Sequence, residues 1–171
     1  ASWIHLYNAL TVKLILDNYP VDSIRDIASG FLSSGPWNEV LIQVEGQDLS
    51  LNDIEHGILR PIWRDPRIHY AVNCAAIGCP NLLGQAFRAD TTDDLLDTAA
   101  RAYVNHPRGA RFDGDKLPVS SIYVWFQEDL ADPDLGVLAH LNPLPPPTLP
   151  PRPDTAAHPP APPPDCPPTA R

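Results

Sequence analysis

The chain has 171 residues and a formal net charge of −9, from 12 basic and 21 acidic residues. An acidic chain without a basic stripe argues against nucleic acid as a partner, and no stretch has the length and apolarity of a membrane-spanning helix. Fourteen of the 22 prolines lie at or after Pro143. We therefore predict one globular domain over residues 1–142 and a disordered, proline-rich tail over residues 143–171.

The first predicted element is a helix over residues 3–17, which is apolar on most sides and is expected to be central. Asn8 lies on an apolar face of this helix, so we expect its amide to be buried and hydrogen-bonded. Residues 21–37 are predicted to connect the helix, through one helical turn, to a short strand over residues 39–44. Because the chain starts in this helix without a methionine, we interpret it as a fragment or a processed chain.

The second predicted helix opens with a capping box at Ser50-Leu51-Asn52-Asp53 and runs to Arg60, where Pro61 stops it. Its buried face is set by three apolar residues, Leu51, Ile54 and Ile58. Glu55 falls on the same face, and His56 lies beside it in line with Arg60. A carboxylate on a buried face either has a buried donor as its partner or lines a cavity.

The stretch 67–73 is apolar after its first residue and rich in β-branched and aromatic side chains, which predicts a buried strand. It runs into a loop bounded by Cys74 and Cys79. In a continuing strand, side chains alternate between the two faces, so His69 would point away from Cys74. We therefore expect His69 to be a poor partner for Cys74 and prefer His56 in that role.

The second half of the chain predicts a helix over residues 91–103 and a hairpin over residues 110–119 that turns at Asp113-Gly114. Two further helices follow, and the last is expected to open at Asp132-Pro133 and to end at Leu141. These elements together predict an α+β fold, in which a small mixed or antiparallel sheet packs against several helices in a single domain.

Four sequence blocks occur in a fixed order: Trp3-Ile4-x-x-Tyr7-Asn8-Ala9-Leu10, Leu51-x-x-Ile54-Glu55-His56-x-Ile58-Leu59-Arg60, Asp65-Pro66-Arg67-Ile68-His69 and Asn73-Cys74-Ala75-x-x-Gly78-Cys79-Pro80. With them, residues 1–141 resemble the domain-of-unknown-function 547 family. The resemblance implies a chain that lacks the helical sequence which precedes the first block in the family. It also implies an exported or periplasmic location in bacteria. The family has no settled activity, so the resemblance implies no reaction.

Cys74 is the candidate nucleophile of a cysteine-dependent hydrolase or of an acyl or thiol transferase. A thiol becomes reactive when a neighbouring imidazole, cation or set of backbone donors stabilises its thiolate. We predict His56 as the base, oriented by Glu55 or Asn73. The backbone N–H groups that follow Cys74 are candidates for stabilising an oxyanion.

Other interpretations of the same residues stay open. Free cysteines are often buried and inert, and Cys74 and Cys79 can also form a disulfide in an exported protein. A zinc site would need these two cysteines with His56 or His69, but the spacing is wider than that of the common zinc knuckle.

A different class of function is a non-enzymatic module that binds a small molecule or a peptide. Its polar pocket would be formed by Asn8, Arg60 and Arg67, because an arginine side chain binds carboxylate or phosphate in a bidentate manner. We predict no cofactor and no metal for the chain, and the sequence leaves its oligomeric state open.

Overall fold

The computed structural model describes residues 1–27, 35–111, 113, 116–131 and 136–141. Within these residues the elements follow in this order: α1 (Ser2–Asp17), β1 (Ile42–Val44), β2 (Gln47–Leu49), α2 (a π-helical segment Asp53–Leu59 continued by the α-helical turn Arg60–Trp63), α3 (Thr92–Val104), α4 (Ile122–Trp125), α5 (Gln127–Leu130) and α6 (Gly136–Leu141). Short 3-10 helices occupy Ile24–Ile27, Pro36–Asn38 and Pro66–Tyr70.

The predicted α+β class is confirmed. β1 and β2 form a two-stranded antiparallel sheet in which Ile42 pairs with Leu49. The strands are joined at Glu45 and Gly46, which have φ angles of 49° and 79°. Two successive residues with positive φ match the twist of an antiparallel hairpin. The sheet lies at the edge of the domain, where the half-buried Ile42 and Leu49 pack against the first of two apolar clusters. In the described part of the chain, no helix is long and apolar enough to cross a membrane.

The N-terminus of α2 is closed by the predicted capping box. The Ser50 hydroxyl oxygen accepts the Asp53 N–H at 3.1 Å, and the Asp53 carboxylate accepts the Ser50 N–H at 2.9 Å. The Ser50 hydroxyl also donates to this carboxylate at 2.6 Å. The hydrogen bonds from the side chain and the backbone of Ser50 lower the pKa of Asp53. This reciprocal pair fixes where α2 begins, directly after the sheet.

The prediction that Pro61 ends α2 is wrong, because the helix continues to Trp63. A proline inside a regular α-helix clashes with the carbonyl four residues earlier, which here belongs to Gly57. The turn just before Pro61 is π-helical, with the Arg60 N–H bonded to the Glu55 carbonyl. This wider turn relieves the clash, so the chain passes through Pro61 without leaving the helix.

The predicted strand over residues 67–73 is also wrong, because Pro66–Tyr70 form a 3-10 helix. Asp65 accounts for the difference. Its carboxylate accepts the Arg67 N–H at 2.9 Å and caps the turn, while Pro66 supplies a first-turn φ angle. The alternation of side chains expected for a strand is therefore absent here. Ile68, His69 and Tyr70 are all buried.

The buried side chains form two apolar clusters. The first joins α1, α2 and the sheet, and includes Ile68. The second joins α3 to α6, and includes Tyr70. The 3-10 helix Pro66–Tyr70 thus contributes side chains to both clusters, and a cleft lies where they meet.

The hairpin expected over residues 110–119 is present as two antiparallel bridges, between Ala110 and Val119 and between Asp113 and Lys116. Its turn residue Gly114 lies outside the described residues, as do the Asp132-Pro133 start of the last helix, the boundary at residue 142 and the proline-rich tail.

Replacing Ser50 with Ala removes one half of the capping box and leaves the Asp53 carboxylate without the hydroxyl. We expect Ser50→Ala to lower the free energy of unfolding by about 1 kcal/mol. Urea denaturation followed by circular dichroism measures the change. Ser121→Ala is the matched control, because the Ser121 hydroxyl is equally buried but has no partner among the described residues. An equal loss in both variants would contradict the capping role.

Candidate functional site

The cleft between the two clusters combines apolar walls with a polar end. Aromatic and aliphatic side chains form its walls: Tyr7, Trp37, Val72, Ile122 and Phe126. Glu55, His56 and His69 lie at the polar end, and the Cys74–Cys79 pair also lines the cleft. Three of the predicted site residues therefore meet in one place: Cys74, His56 and Glu55.

Cys74 and Cys79 are joined by a disulfide, with their Cα atoms 6.3 Å apart. This confirms the disulfide considered from the sequence. Both residues are buried. Because a bonded sulfur is not a thiolate, any nucleophilic role of Cys74 requires the disulfide to be reduced first.

Asn73 stabilises the loop that carries the disulfide. Its amide donates to the Pro80 carbonyl at 2.6 Å and accepts the Ala75 N–H at 2.8 Å. Its own N–H donates to Asn8 in α1 at 2.8 Å. Asn73 thus holds the two ends of the loop together instead of contacting His56. The N–H of Ala75 is also engaged and is not free for an oxyanion.

Asn8 connects α1 to the same loop and is half-buried. Besides accepting from Asn73, its amide donates to the Ala71 carbonyl at 2.8 Å. The sequence prediction that this amide must be hydrogen-bonded is therefore confirmed. Both of its polar groups have partners within the chain, so Asn8 positions the residues before Cys74.

Two side chains from α3 and the segment after it hold the middle of the loop. The Arg108 guanidinium donates to the carbonyls of Ile77 at 2.8 Å and Cys79 at 3.3 Å. It also donates to the Asn81 side chain at 2.5 Å. The Tyr103 hydroxyl bonds to the Gly78 carbonyl. With the Asn73 contacts, these bonds hold the loop on both sides of Cys79 in addition to the disulfide.

His69 is the most constrained polar side chain at this site. It is 3% exposed, and its ring stacks on Phe126 with the centroids 3.9 Å apart. Nε2 lies 2.7 Å from the Asp129 carboxylate. Since a carboxylate accepts, Nε2 carries the hydrogen in this contact. Nδ1 lies 3.7 Å from a Glu55 oxygen and has no hydrogen-bond partner among the described residues.

The expectation that His69 points away from Cys74 is therefore wrong, because both residues line the same cleft. It depended on a strand that is a 3-10 helix in the structure. The Asp65-Pro66-Arg67-Ile68-His69 block carried the signal for this helix, since a capping Asp before Pro is typical of a helix start. Asp129 lies 60 residues away and had no such signal.

Asp129 connects His69 to Arg60, whose Nε donates to the same carboxylate oxygen at 2.5 Å. Burial raises the pKa of Asp129, but the hydrogen bonds from His69 and Arg60 outweigh it and hold the pKa well below the usual range. The carboxylate is therefore ionised at neutral pH. Arg60 also lies over the Phe126 ring, at 5.3 Å from the centroid.

His56 has the same tautomer as His69, but its Nδ1 has a partner. The Arg60 guanidinium donates to His56 Nδ1 at 3.1 Å, so the hydrogen of a neutral ring is on Nε2. Burial is the main cause that lowers the pKa of His56, although Glu55 opposes it. A neutral imidazole with a hydrogen on its other nitrogen is a hydrogen-bond donor to the cleft. In this arrangement it has no free lone pair with which to act as a base.

Arg67, predicted to bind a ligand, is bonded to three carboxylates instead. Its guanidinium contacts Asp65, Asp93 and Asp97, each at 2.7 Å at the closest approach. The hydrogen bonds that Arg67 donates to Asp65 and Asp97 are the main causes that raise its pKa. These contacts hold the 3-10 helix against α3, and Arg67 does not line the cleft.

A polar groove adjoins the cleft at His56, which lines both. Its other residues come from α2 and its C-terminus and from α5: Arg60, Pro61, Arg64, Glu128 and Asp129. Its volume of about 420 Å³ is far larger than the free volume of the cleft, about 30 Å³. In the described ranges, no group of three His, Cys, Asp or Glu side chains is placed to hold a metal ion.

Replacing Asp129 with Asn removes the charge bonded by His69 and Arg60. A lowered pKa means that the carboxylate stabilises the fold above its ordinary pKa of about 4, and that this stabilisation is lost as the pH falls toward the lowered value. We expect Asp129→Asn to lower the free energy of unfolding at pH 7 by about 1–3 kcal/mol. The difference from the unmodified protein should shrink below about pH 5.

Urea unfolding at several pH values measures this difference. The matched control is Asp90→Asn, since Asp90 is exposed. A difference between Asp129→Asn and the unmodified protein that stays constant from pH 7 to about pH 3 would contradict the assignment of the lowered pKa to this carboxylate.

Ala75, directly after Cys74, has a φ angle of 61°, in the left-handed region that is unfavourable for a residue with a Cβ atom. We expect Ala75→Gly to raise the free energy of unfolding by about 0.5–1 kcal/mol, because glycine relieves this cost while adding some entropy to the unfolded chain. Ala76→Gly is the control. Ala76 has no positive φ angle, so the same change should destabilise the protein.

A family model described as "Protein of unknown function, DUF547" matches residues 1–104. These residues include all four sequence blocks and every residue of the cleft up to Pro80. No curated protein and no solved structure matches the chain.

Proposed function

Because the chain belongs to the DUF547 family of proteins of unknown function, its activity must be inferred from its own side chains, and we propose a cysteine-dependent hydrolase or acyl transferase. Cys74 is its nucleophile after the disulfide has been reduced. The observation that carries this proposal is His69, which lines the same cleft as Cys74 and is bonded to Asp129 of the adjoining groove. A carboxylate, an imidazole and a sulfur are the groups from which nucleophilic cysteine sites are built.

His69 is better suited than His56 to be the base. Asp129 accepts the hydrogen on Nε2, which leaves the lone pair on Nδ1, and this atom has no partner in the described structure. The Nδ1 lone pair of His56 accepts from Arg60 instead. We assign His69 as the general base, Asp129 as the residue that orients it, and His56 as a donor to the oxygen of the substrate.

The proposed reaction starts with a dithiol reductant, which supplies two electrons and two protons and converts the disulfide into two thiols. Cys74 then gives its proton to His69 Nδ1. The thiolate attacks the carbonyl carbon of an acyl substrate, and the leaving group departs with the proton from His69. The thioester on Cys74 is released by water or by another nucleophile, which gives its proton back to His69.

Glu55 and Arg60 lie on either side of the His69–Asp129 pair. Glu55 is 6% exposed, and one of its carboxyl oxygens lies 3.7 Å from His69 Nδ1, the ring nitrogen that receives the proton in this proposal. Arg60 holds the Asp129 carboxylate from the other side. These two residues are positioning residues in the proposal, since neither needs to touch the reacting atoms.

The binding-module alternative receives less support from the same contacts. It depends on Asn8, Arg60 and Arg67, and each of these side chains is bonded to partners within the chain. A ligand bound in the cleft without reaction remains the competing outcome of the experiment that follows.

Alkylation of Cys74 by iodoacetamide, mapped by mass spectrometry, tests the proposal. We expect no labelling of the oxidised protein, rapid labelling at pH 7 after reduction, and equally rapid labelling of Cys79→Ala without reductant. In the Cys79→Ala background, His69→Gln should slow labelling at pH 7 by about tenfold or more, because the thiolate loses its proton acceptor. His56→Gln is the matched control and should slow it far less.

Two outcomes separate the alternatives. If Cys74 in Cys79→Ala reacts no faster than a free cysteine peptide at pH 7, the thiol is not activated and the enzyme proposal is wrong. If His56→Gln slows labelling and His69→Gln does not, the base is His56, as predicted from the sequence.

A further inference from the structure

We propose that the substrate is a short-chain acyl ester or thioester, with the acyl group in the cleft and a polar leaving group in the adjoining groove. This inference rests on the proposed function and names its substrate class. Three observations support it: the small free volume of the cleft, the Trp37 Nε1–H that has no acceptor among the described residues, and the groove at the polar end of the cleft.

The cleft admits only a small group. Its free volume of about 30 Å³ corresponds to roughly two or three positions the size of a water molecule. An acetyl group has three non-hydrogen atoms and fits this space, whereas a long acyl chain does not. The walls are aromatic and aliphatic, which suits the methyl end of such a group.

Trp37, in the wall of the cleft, has a hydrogen-bond donor without a partner in the part of the chain that the structure describes. Trp37 is 2% exposed, and among the described residues its Nε1–H has no acceptor. A buried donor without an acceptor is unfavourable in the empty protein and favourable once a ligand supplies the acceptor. The carbonyl oxygen of an acyl group is such an acceptor. In this proposal Trp37 and His56, which both line the cleft, are the donors to the oxygen that becomes negative during attack by Cys74.

Gly35 fixes the position of this donor. A Cβ atom at Gly35 would lie 1.8 Å from Cζ3 of Trp37, so the ring occupies the space that any other residue would fill. Gly35 also has a φ angle of 134°, a conformation that other residues rarely adopt. A residue with a Cβ atom at position 35 would therefore displace the Trp37 ring.

We assign the groove to the polar leaving group of the substrate. It contains Arg60, Arg64, Glu128 and Asp129, of which Arg60 and Asp129 are already paired. Arg64 and Glu128 are exposed, one positive and one negative. A groove with both charges suits a polar leaving group that has its own donors and acceptors, and disfavours a lipid chain.

Acylation of Cys74 by thioesters of N-acetylcysteamine tests the inference. The full chain carrying Cys79→Ala is treated with acetyl, butyryl and octanoyl thioesters, and the acylated Cys74 peptide is quantified over time by mass spectrometry. We expect the acetyl group to transfer at least about tenfold faster than the octanoyl group, because only the shorter chain fits the cleft. Octanoyl transfer as fast as acetyl transfer overturns the inference.

A second comparison tests the role of Trp37. We expect Trp37→Phe in the Cys79→Ala background to slow acetyl transfer by about 10-fold to 100-fold, while alkylation of Cys74 by iodoacetamide stays unchanged. Trp63→Phe is the control, because Trp63 is half-exposed and lies outside the cleft. Equal acetyl transfer in Trp37→Phe and Trp63→Phe overturns the assignment of the donor. If Trp37→Phe fails to fold, the chain-length comparison decides alone.

The two proposals fail in different ways. No acyl adduct with any of the three thioesters, together with slow alkylation, overturns the cysteine mechanism and the substrate class with it. Rapid alkylation with no dependence on acyl chain length overturns only the substrate class.

Discussion

The carboxylate of Asp129 is the contact on which the site depends. One of its oxygens accepts from His69 at 2.7 Å and from Arg60 at 2.5 Å, so a single residue of α5 fixes side chains from the 3-10 helix and from α2. Both clusters of apolar side chains meet near this point. Without the carboxylate, the buried His69 would lose the acceptor of its Nε2–H and Arg60 would keep, among the described residues, only its hydrogen bond to His56, which is costly in an environment of low dielectric constant.

Among the described residues, the loop between Cys74 and Cys79 is held by a disulfide and by hydrogen bonds to its backbone, and not by an ion pair. A disulfide across so short a loop removes little entropy from the unfolded chain, on the order of 2 kcal/mol in the chain-entropy description. Asn73, Tyr103 and Arg108 already hold the loop through hydrogen bonds to its backbone. These hydrogen bonds therefore support the loop alongside the bond between the two sulfurs.

Local signals predicted much of this architecture. The capping box at Ser50 and the buried position of Glu55 follow from spacing along one helix, and the structure has both. The expectation that α1 is central is wrong, because α1 buries one face only and its apolar residues Val12 and Leu16 are exposed. The predictions failed where the same local sequence is compatible with two secondary structures. Residues 67–73 are apolar enough for a strand, but Asp65 and Pro66 start a helical turn first. The pairing of His69 with Asp129 joins residues 60 positions apart, and no local pattern predicts it.

The π-helical turn of α2 sets the angular positions of two site residues. In a regular α-helix, residues five positions apart are rotated by about 140° around the axis, so Glu55 and Arg60 would lie on different faces. Here the Arg60 N–H bonds to the Glu55 carbonyl, five residues back, and the two residues lie nearly one above the other. One helix face therefore presents an anion and a cation to the same imidazole–carboxylate pair. The additional residue in the π-helical turn changes the angle around the helix axis at which Arg60 projects. Deleting one residue in that turn would therefore rotate Arg60 away from Asp129.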